Sequence, residues 1–199
     1  MAFSRERLNK YLNATKQNLD DAITLYEKNT RLAEAFYTPL QCLEICLRNH
    51  LHACLKNTYE EDWFRNHKPP FNQDSQRMIF DAVEELNQDR RGVTPGRVVA
   101  ELKFAFWVGL MGPRYDGTVW RESIYRAFLA RGGKPRNQVH GRFNAIRRFR
   151  NRIAHHEPIF NRDLEQTHAE IIEAIDWMCR HTSSWAAHHS RFPHVFAAG

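Results

Sequence analysis

Apolar residues along the chain recur at steps of three and four rather than two, so the pattern predicts helices almost throughout. Ser4 is placed to cap a short helix from Arg5 to about Ala14, with Leu8, Tyr11 and Leu12 on one side. A second helix starts after Asn18, where Asp20 and Asp21 suit the positive end of a helix dipole, and carries Leu19, Ile23 and Tyr26. From Thr30 to about Asn57, Leu32, Phe36, Leu40, Leu43, Leu47, Leu51 and Leu55 read as one long amphipathic helix. Pro39 interrupts it and predicts a kink or a break near Tyr37.

Lys68-Pro69-Pro70-Phe71 reads as an extended connector. Asn72 then caps a helix to about Arg90, with Met78, Ile79, Ala82, Val83 and Leu86 inward. Thr94 and Pro95 open a helix from Val98 to Met111, apolar nearly all round and therefore expected at the centre of the fold. Thr118 is placed to cap a helix reaching Leu129. Asn137 opens a helix that should stop near His155 or His156, because Glu157 precedes Pro158. A last helix is expected from about Asp163 to Trp185, and the tail beyond Ser190 is weakly patterned.

Strand-like alternation is scarce and no internal repeat is visible, so the expected fold is all-α, an up-and-down bundle with additional helices. A chain of 199 residues builds one good core and would be cramped as two. The expected layout is an N-terminal helix over 1–17, a helical domain over 18–185 and a tail over 186–199.

Composition adds an uneven charge. The net charge is +6, yet no Asp or Glu occurs from Ser123 to His156, a span dense in arginine. Such a block suits a polyanion, most simply nucleic acid; the alternative is a solvated basic face or an anionic membrane contact. No apolar run reaches the length of a membrane span, and the N-terminus lacks the apolar core of a signal peptide, so a cytoplasmic protein without membrane attachment is expected. Four cysteines fit reduced, mostly buried thiols better than a disulfide framework. Three of them, Cys42, Cys46 and Cys54, alternate with His50 every four residues. That stripe spans roughly 18 Å of helix, too long for one metal ion whose ligands sit at about 2.3 Å. No metal or other cofactor is expected.

The densest chemistry lies in Arg147-Arg148-Phe149-Arg150-Asn151-Arg152-Ile153-Ala154-His155-His156. On a wheel set to zero at Phe143, with about 100° per residue, Val139, Ile146, Phe149 and Ile153 fall between about 240° and 320°, and Arg150 near 340°. An arginine on a buried stripe needs a carboxylate, a subunit interface or a ligand anion. Glu44 is one candidate partner, although Glu44 and Arg48 also stand at the spacing of an ordinary helix ion pair. Arg147, Asn151 and His155 lie near about 40°, 80° and 120°, which puts the histidine about 140° from Arg150. One straight helix does not bring them together. Two helix ends meeting across a dimer, with the turn loosening before Pro158, would.

Arg150-Asn151-Arg152-Ile153-Ala154-His155 resembles the Arg-x4–6-His motif of HEPN-domain ribonucleases, including the polar residue after the arginine. Phe36 with Leu43-Glu44-Ile45-Cys46-Leu47-Arg48-Asn49, the segment from Glu101 to Val108, and the segment from Arg148 to Ile159 together resemble the Abi-like family of phage-resistance proteins, over about residues 18–180. The resemblance implies a HEPN-like bundle and a metal-independent endoribonuclease acting in antiphage abortive infection or as a toxin. It implies a homodimer in which two copies of the motif face each other at a composite site, since Arg48-Asn49-His50-Leu51-His52 is one residue short of a second copy.

Cleaving RNA without a metal needs activation of the 2′-OH, charge stabilisation at the phosphate and protonation of the leaving 5′-oxygen. His155 suits general base or acid, Arg150 the phosphate, and Asn151 the orientation of either. The family pattern implies that Glu44 and Arg48 orient Arg150 and that His156 assists. Arg136, Arg142, Arg147, Arg148 and Arg152 form the expected RNA-binding surface. The partners implied are RNA, as substrate or regulator, a second copy of the chain, and an antitoxin. The alternative is a non-catalytic HEPN module that binds RNA or a protein partner through the same surface.

Overall fold

A computed structural model describes residues 5–130 and 132–198, excepting the side chain of Arg5. Ser4, the expected first cap, lies outside them. Most of the described residues are helical and none forms a strand. In chain order the helices are α1 (Arg5–Ala14), α2 (Leu19–Ala35), α3 (Tyr37–Tyr59), α4 (Gln73–Gln88), α5 (Pro95–Glu101), α6 (Phe104–Gly109), α7 (Arg136–Ala154), α8 (Leu164–Asp176), α9 (Arg180–His189) and α10 (Phe192–Ala197). The all-α expectation is met.

Local chemistry starts the helices where polar caps stand. Asn18 accepts from the backbone N–H groups of Asp20 and Asp21, Asn72 from Ser75, and Asp163 from Gln166. Each satisfies a donor that the first helical turn leaves without a partner. Thr94 precedes Pro95 as expected, but its hydroxyl makes no cap bond.

The break expected near Tyr37 is present, and it divides the span from Thr30 to Asn57 between two helices. The first turns of that span belong to α2, which runs unbroken from Leu19, and the break falls at Phe36. Pro39 then sits in the first turn of α3, where a missing N–H costs nothing. Phe36 is fully buried and packs on Phe149 at 4.8 Å and on Phe192 at 4.6 Å.

The hub of the fold is α3, which packs on α2, α5, α6, α8 and α9. The segment expected at the centre, Val98–Met111, is buried but flanks α3, and it is broken at Leu102 and Lys103, which are extended. The break puts both Leu102 and Phe104 inside while Lys103 and Ala105 face solvent, which a straight helix with apolar residues all round could not do. On α4, Ile79, Ala82 and Leu86 are buried, but Met78 is exposed, contrary to expectation.

Three further expectations are corrected. No α-helix spans Thr118 to Leu129. Residues 113–128 form short 3-10 and wide turns, with non-helical Thr118, and these bury Tyr115, Val119, Trp120, Ile124 and Phe128 together. The last expected helix splits at Trp177–Cys179, where Cys179 is extended, and α9 packs against α8 with the Ser183 hydroxyl donating to the carbonyl of Ile172 at 3.1 Å. The weakly patterned tail forms α10, whose Phe192 is buried in the core beside His168.

Candidate functional site

The site is built on the end of α7. Val139, Phe143, Ile146 and Phe149 are buried, and the helix packs against α6 and α8. It stops in a closed turn. The N–H of Glu157 donates to the carbonyl of Arg152 at 2.7 Å and that of His156 to Ile153 at 2.9 Å, the paired reverse bonds of a Schellman ending. The position between the helix and Glu157 must be left-handed, usually a glycine; here it is His156, at φ 55°.

Neighbouring side chains hold this turn from three directions. Arg152 pairs with the Glu157 carboxylate at 2.9 Å and donates to the Pro158 carbonyl at 2.7 Å. Asn29 of α2, buried, accepts from the N–H groups of Ile159 at 2.7 Å and Phe160 at 3.1 Å. Arg7 of α1 donates to the His156 carbonyl at 3.0 Å. The expected loosening before Pro158 is therefore not seen, because the freed helix carbonyls and the chain beyond them are hydrogen-bonded in place. Asn29 and Arg7 escaped the sequence reading. The trace of Asn29 is an amide seven residues after buried Ala22 and three before buried Leu32, on one face of α2. Arg7 left no local signal.

Arg150 meets its carboxylate across the fold. Its Nε donates to Glu44 Oε1 at 2.8 Å, joining α7 to α3. Glu44 therefore does not form the helix ion pair with Arg48 that its spacing allowed. The terminal nitrogens of Arg150 make no hydrogen bond among the described residues, and Arg48 Nε is buried with no acceptor. Both arginines and Glu44 line one cavity of about 690 Å³ between α3 and the end of α7. His156 lines it too, while exposed Tyr37 and Ile45 form an apolar rim.

His155 and Asn151 stand elsewhere. His155 is exposed and Asn151 half-buried, and neither lines the cavity that holds Arg150. The divergence expected from the wheel is present, and the left-handed turn brings the second histidine of the pair, not the first, to the arginine's side.

The basic residues differ in what they touch. Arg136 pairs with Asp116 at 3.3 Å and donates to the Met111 carbonyl at 2.9 Å. Arg142 pairs with Glu173 at 2.7 Å and lies over the Trp177 ring at 5.3 Å. Arg147 donates to the Asn144 side chain at 2.9 Å. Arg148 is exposed. In the Cys/His stripe, Cys42 and Cys46 are buried, and the Nδ1–H of His50 donates to the Cys46 carbonyl at 2.9 Å. Burial pushes the Cys46 thiol up to about 12, so it remains protonated.

The site is thus a cavity beside Arg150 at a helix end of an all-α bundle, with His156 on its wall and Asn151 and His155 outside it. The chain belongs to the Abi-like family: the family model described as Abi-like protein matches residues 1–161, which run from α1 through the closed turn after α7. Membership associates it with abortive infection. No curated protein and no solved structure matches the chain. No helix among the described residues is long and apolar enough to cross a membrane.

Proposed function

We propose that the protein is an endoribonuclease of abortive infection that cleaves RNA by attack of a 2′-OH on the adjacent phosphate, at a composite site formed by two copies of the chain. The observation that carries this reading is the state of Arg150. Its Nε is tied to Glu44, which restrains the plane of the guanidinium, while its two terminal nitrogens make no hydrogen bond among the described residues and the side chain lines the cavity. A planar fork held this way suits the two equatorial oxygens of a phosphodiester.

In the reaction, one imidazole takes the proton of the 2′-OH as that oxygen bonds to phosphorus. A second imidazole donates a proton to the departing 5′-oxygen as its bond breaks. The products are a 2′,3′-cyclic phosphate and a 5′-hydroxyl. His155 of one copy and His155 of the other supply the two imidazoles in this scheme, Asn151 orients the strand, and Arg150 stabilises charge on the phosphate oxygens. Exposure of His155 at the helix end leaves it available to a second protomer. Glu44 and Arg48 position the arginine, and His156 assists from the cavity side.

The test is cleavage of end-labelled RNA in the presence of a chelator, with DNA of the same sequence as control. Wild type is expected to cut RNA, to leave DNA intact for want of a 2′-OH, and to generate a cyclic phosphate end. His155→Ala and Arg150→Ala should each lose at least about a hundredfold in rate. Cleavage that persists in His155→Ala would defeat the scheme. Tight RNA binding without any cleavage by wild type would favour the non-catalytic binding module.

A further inference from the structure

On the opposite flank of α7 from the Arg150 cavity, a groove of about 300 Å³ runs between α7 and α8, bordered by Arg148, Arg152, Arg162 and Thr167. We infer that this groove is a phosphodiester-binding subsite, which holds a neighbouring phosphate of a single RNA strand lying across the exposed edge of α7. That the strand is RNA rests on the function proposed above.

The first support is a contrast among the arginines. α7 carries six, and five have partners: Asp116 for Arg136, Glu173 for Arg142, Asn144 for Arg147, Glu44 for Arg150 and Glu157 for Arg152. Arg148 has none among the described residues, and neither does the Arg162 side chain across the groove. Both are exposed. Two unpaired guanidiniums facing one groove supply the charge that a polyanion displaces counterions to reach. Arg152 borders the same groove, but its terminal nitrogens are held by Glu157 and Pro158, so the unpaired charge there is that of Arg148 and Arg162.

The groove's own carboxylate does not cancel this. Glu170 accepts from Gln166 Nε2 at 3.0 Å and shares Arg142, at 3.9 Å, with Glu173, so it sets one partly offset negative charge against the two unpaired guanidiniums. Thr167 spends its proton on the Asp163 carbonyl at 2.6 Å and borders the groove without donating into it.

A second support is position. On the helical wheel Arg148 lies near about 140° and His155 near about 120°, so the two share one edge, seven residues and about 10 Å apart along the axis. Arg150 opens to the other side. A strand that reaches His155 along the exposed edge of α7 passes Arg148 on its way. The chemistry also favours a phosphate backbone over a protein surface. Protein interfaces are anchored by exposed aromatic and aliphatic side chains, and none of the large exposed hydrophobic residues lines this groove.

The test uses the full chain carrying His155→Ala to suppress turnover, and a fluorescent 20-nucleotide single-stranded RNA whose binding is read by anisotropy between about 50 and 200 mM salt. Removing both unpaired charges (Arg148→Gln with Arg162→Gln) should weaken binding about tenfold. It should also flatten the slope of log affinity against log salt by about 1.4, two phosphate contacts at about 0.7 each. A control with the same charge loss elsewhere, Arg77→Gln with Arg97→Gln on α4 and α5, should leave the slope unchanged. Equal slopes in the two double variants overturn the subsite. If wild type proves not to cleave RNA but the groove variant still flattens the slope, the ribonuclease reading fails and the subsite stands. If wild type cleaves and the slopes are equal, the subsite alone fails.

Discussion

Arg150 and Glu44 lie 106 residues apart in sequence and 2.8 Å apart in the fold, and their bond spans the space between α7 and α3. Both side chains are partly exposed, at 40% and 27%, so the pair contributes little to stability, about 0.5–1 kcal/mol. Its importance is directional. It sets the plane in which the terminal nitrogens of Arg150 point.

Glu44→Gln is accordingly expected to separate stability from activity. The melting temperature should move by only a few degrees, while RNA cleavage drops roughly 10- to 100-fold as the guanidinium loses its fixed plane. A variant that melts normally and cleaves at the wild-type rate would remove Glu44 from the positioning machinery.

His156→Gly tests the closed turn. Glycine adopts the left-handed conformation without the clash of a side chain with its own carbonyl, and relief of that strain should stabilise the fold by about 1 kcal/mol. Thermal melting should then rise by about 2–4 °C. If His156 assists the reaction from the cavity, cleavage falls in the same variant. Unchanged cleavage with a raised melting temperature would assign it to the turn alone.

Asn29→Ala removes the acceptor for two backbone N–H groups, those of Ile159 and Phe160, where the chain leaves the site. Stranding a buried donor costs about 2–3 kcal/mol, which predicts a melting temperature lower by roughly 5–10 °C. A drop of under a degree would mean that water replaces the amide.

Acid should weaken the fold well before carboxylates titrate. His52, His140 and His168 all have lowered pKa values, each chiefly through burial, with Lys56 adding to the effect at His52 and Arg136 and Arg147 at His140. Neutral His52 accepts the indole N–H of Trp63 at 3.0 Å, a bond that protonation abolishes. Between the lowered folded value and the ordinary value near 6.5 the unfolded chain binds more protons, so stability rises with pH across that window. Stability should be complete above about pH 7 and should fall as pH drops below about 6.5. Urea midpoints at pH 7.5, 6.5 and 5.5 check this, and a midpoint that holds or rises on acidification would contradict it.

The sequence by itself determined the helical class, the starts of α2, α4 and α8, and the end of α7. Caps such as Asn18, Asn72 and Asp163, the apolar period of α3 and α7, and the stop before Pro158 all act within a few residues, so their outcome is local. It also determined that Arg150 and His155 diverge, because helical geometry leaves them no choice. Only the tertiary structure decided the rest. Glu44 had two arginines within reach, and the fold chose Arg150 over Arg48, since an exposed helix pair is worth a few tenths of a kcal/mol and is easily outbid by packing. The breaks at Leu102 and Cys179 follow from how many apolar faces one core must cover, which no local period records. His156 is turned to the arginine's cavity by a left-handed conformation that Asn29, Arg7 and Arg152 hold from distant parts of the chain.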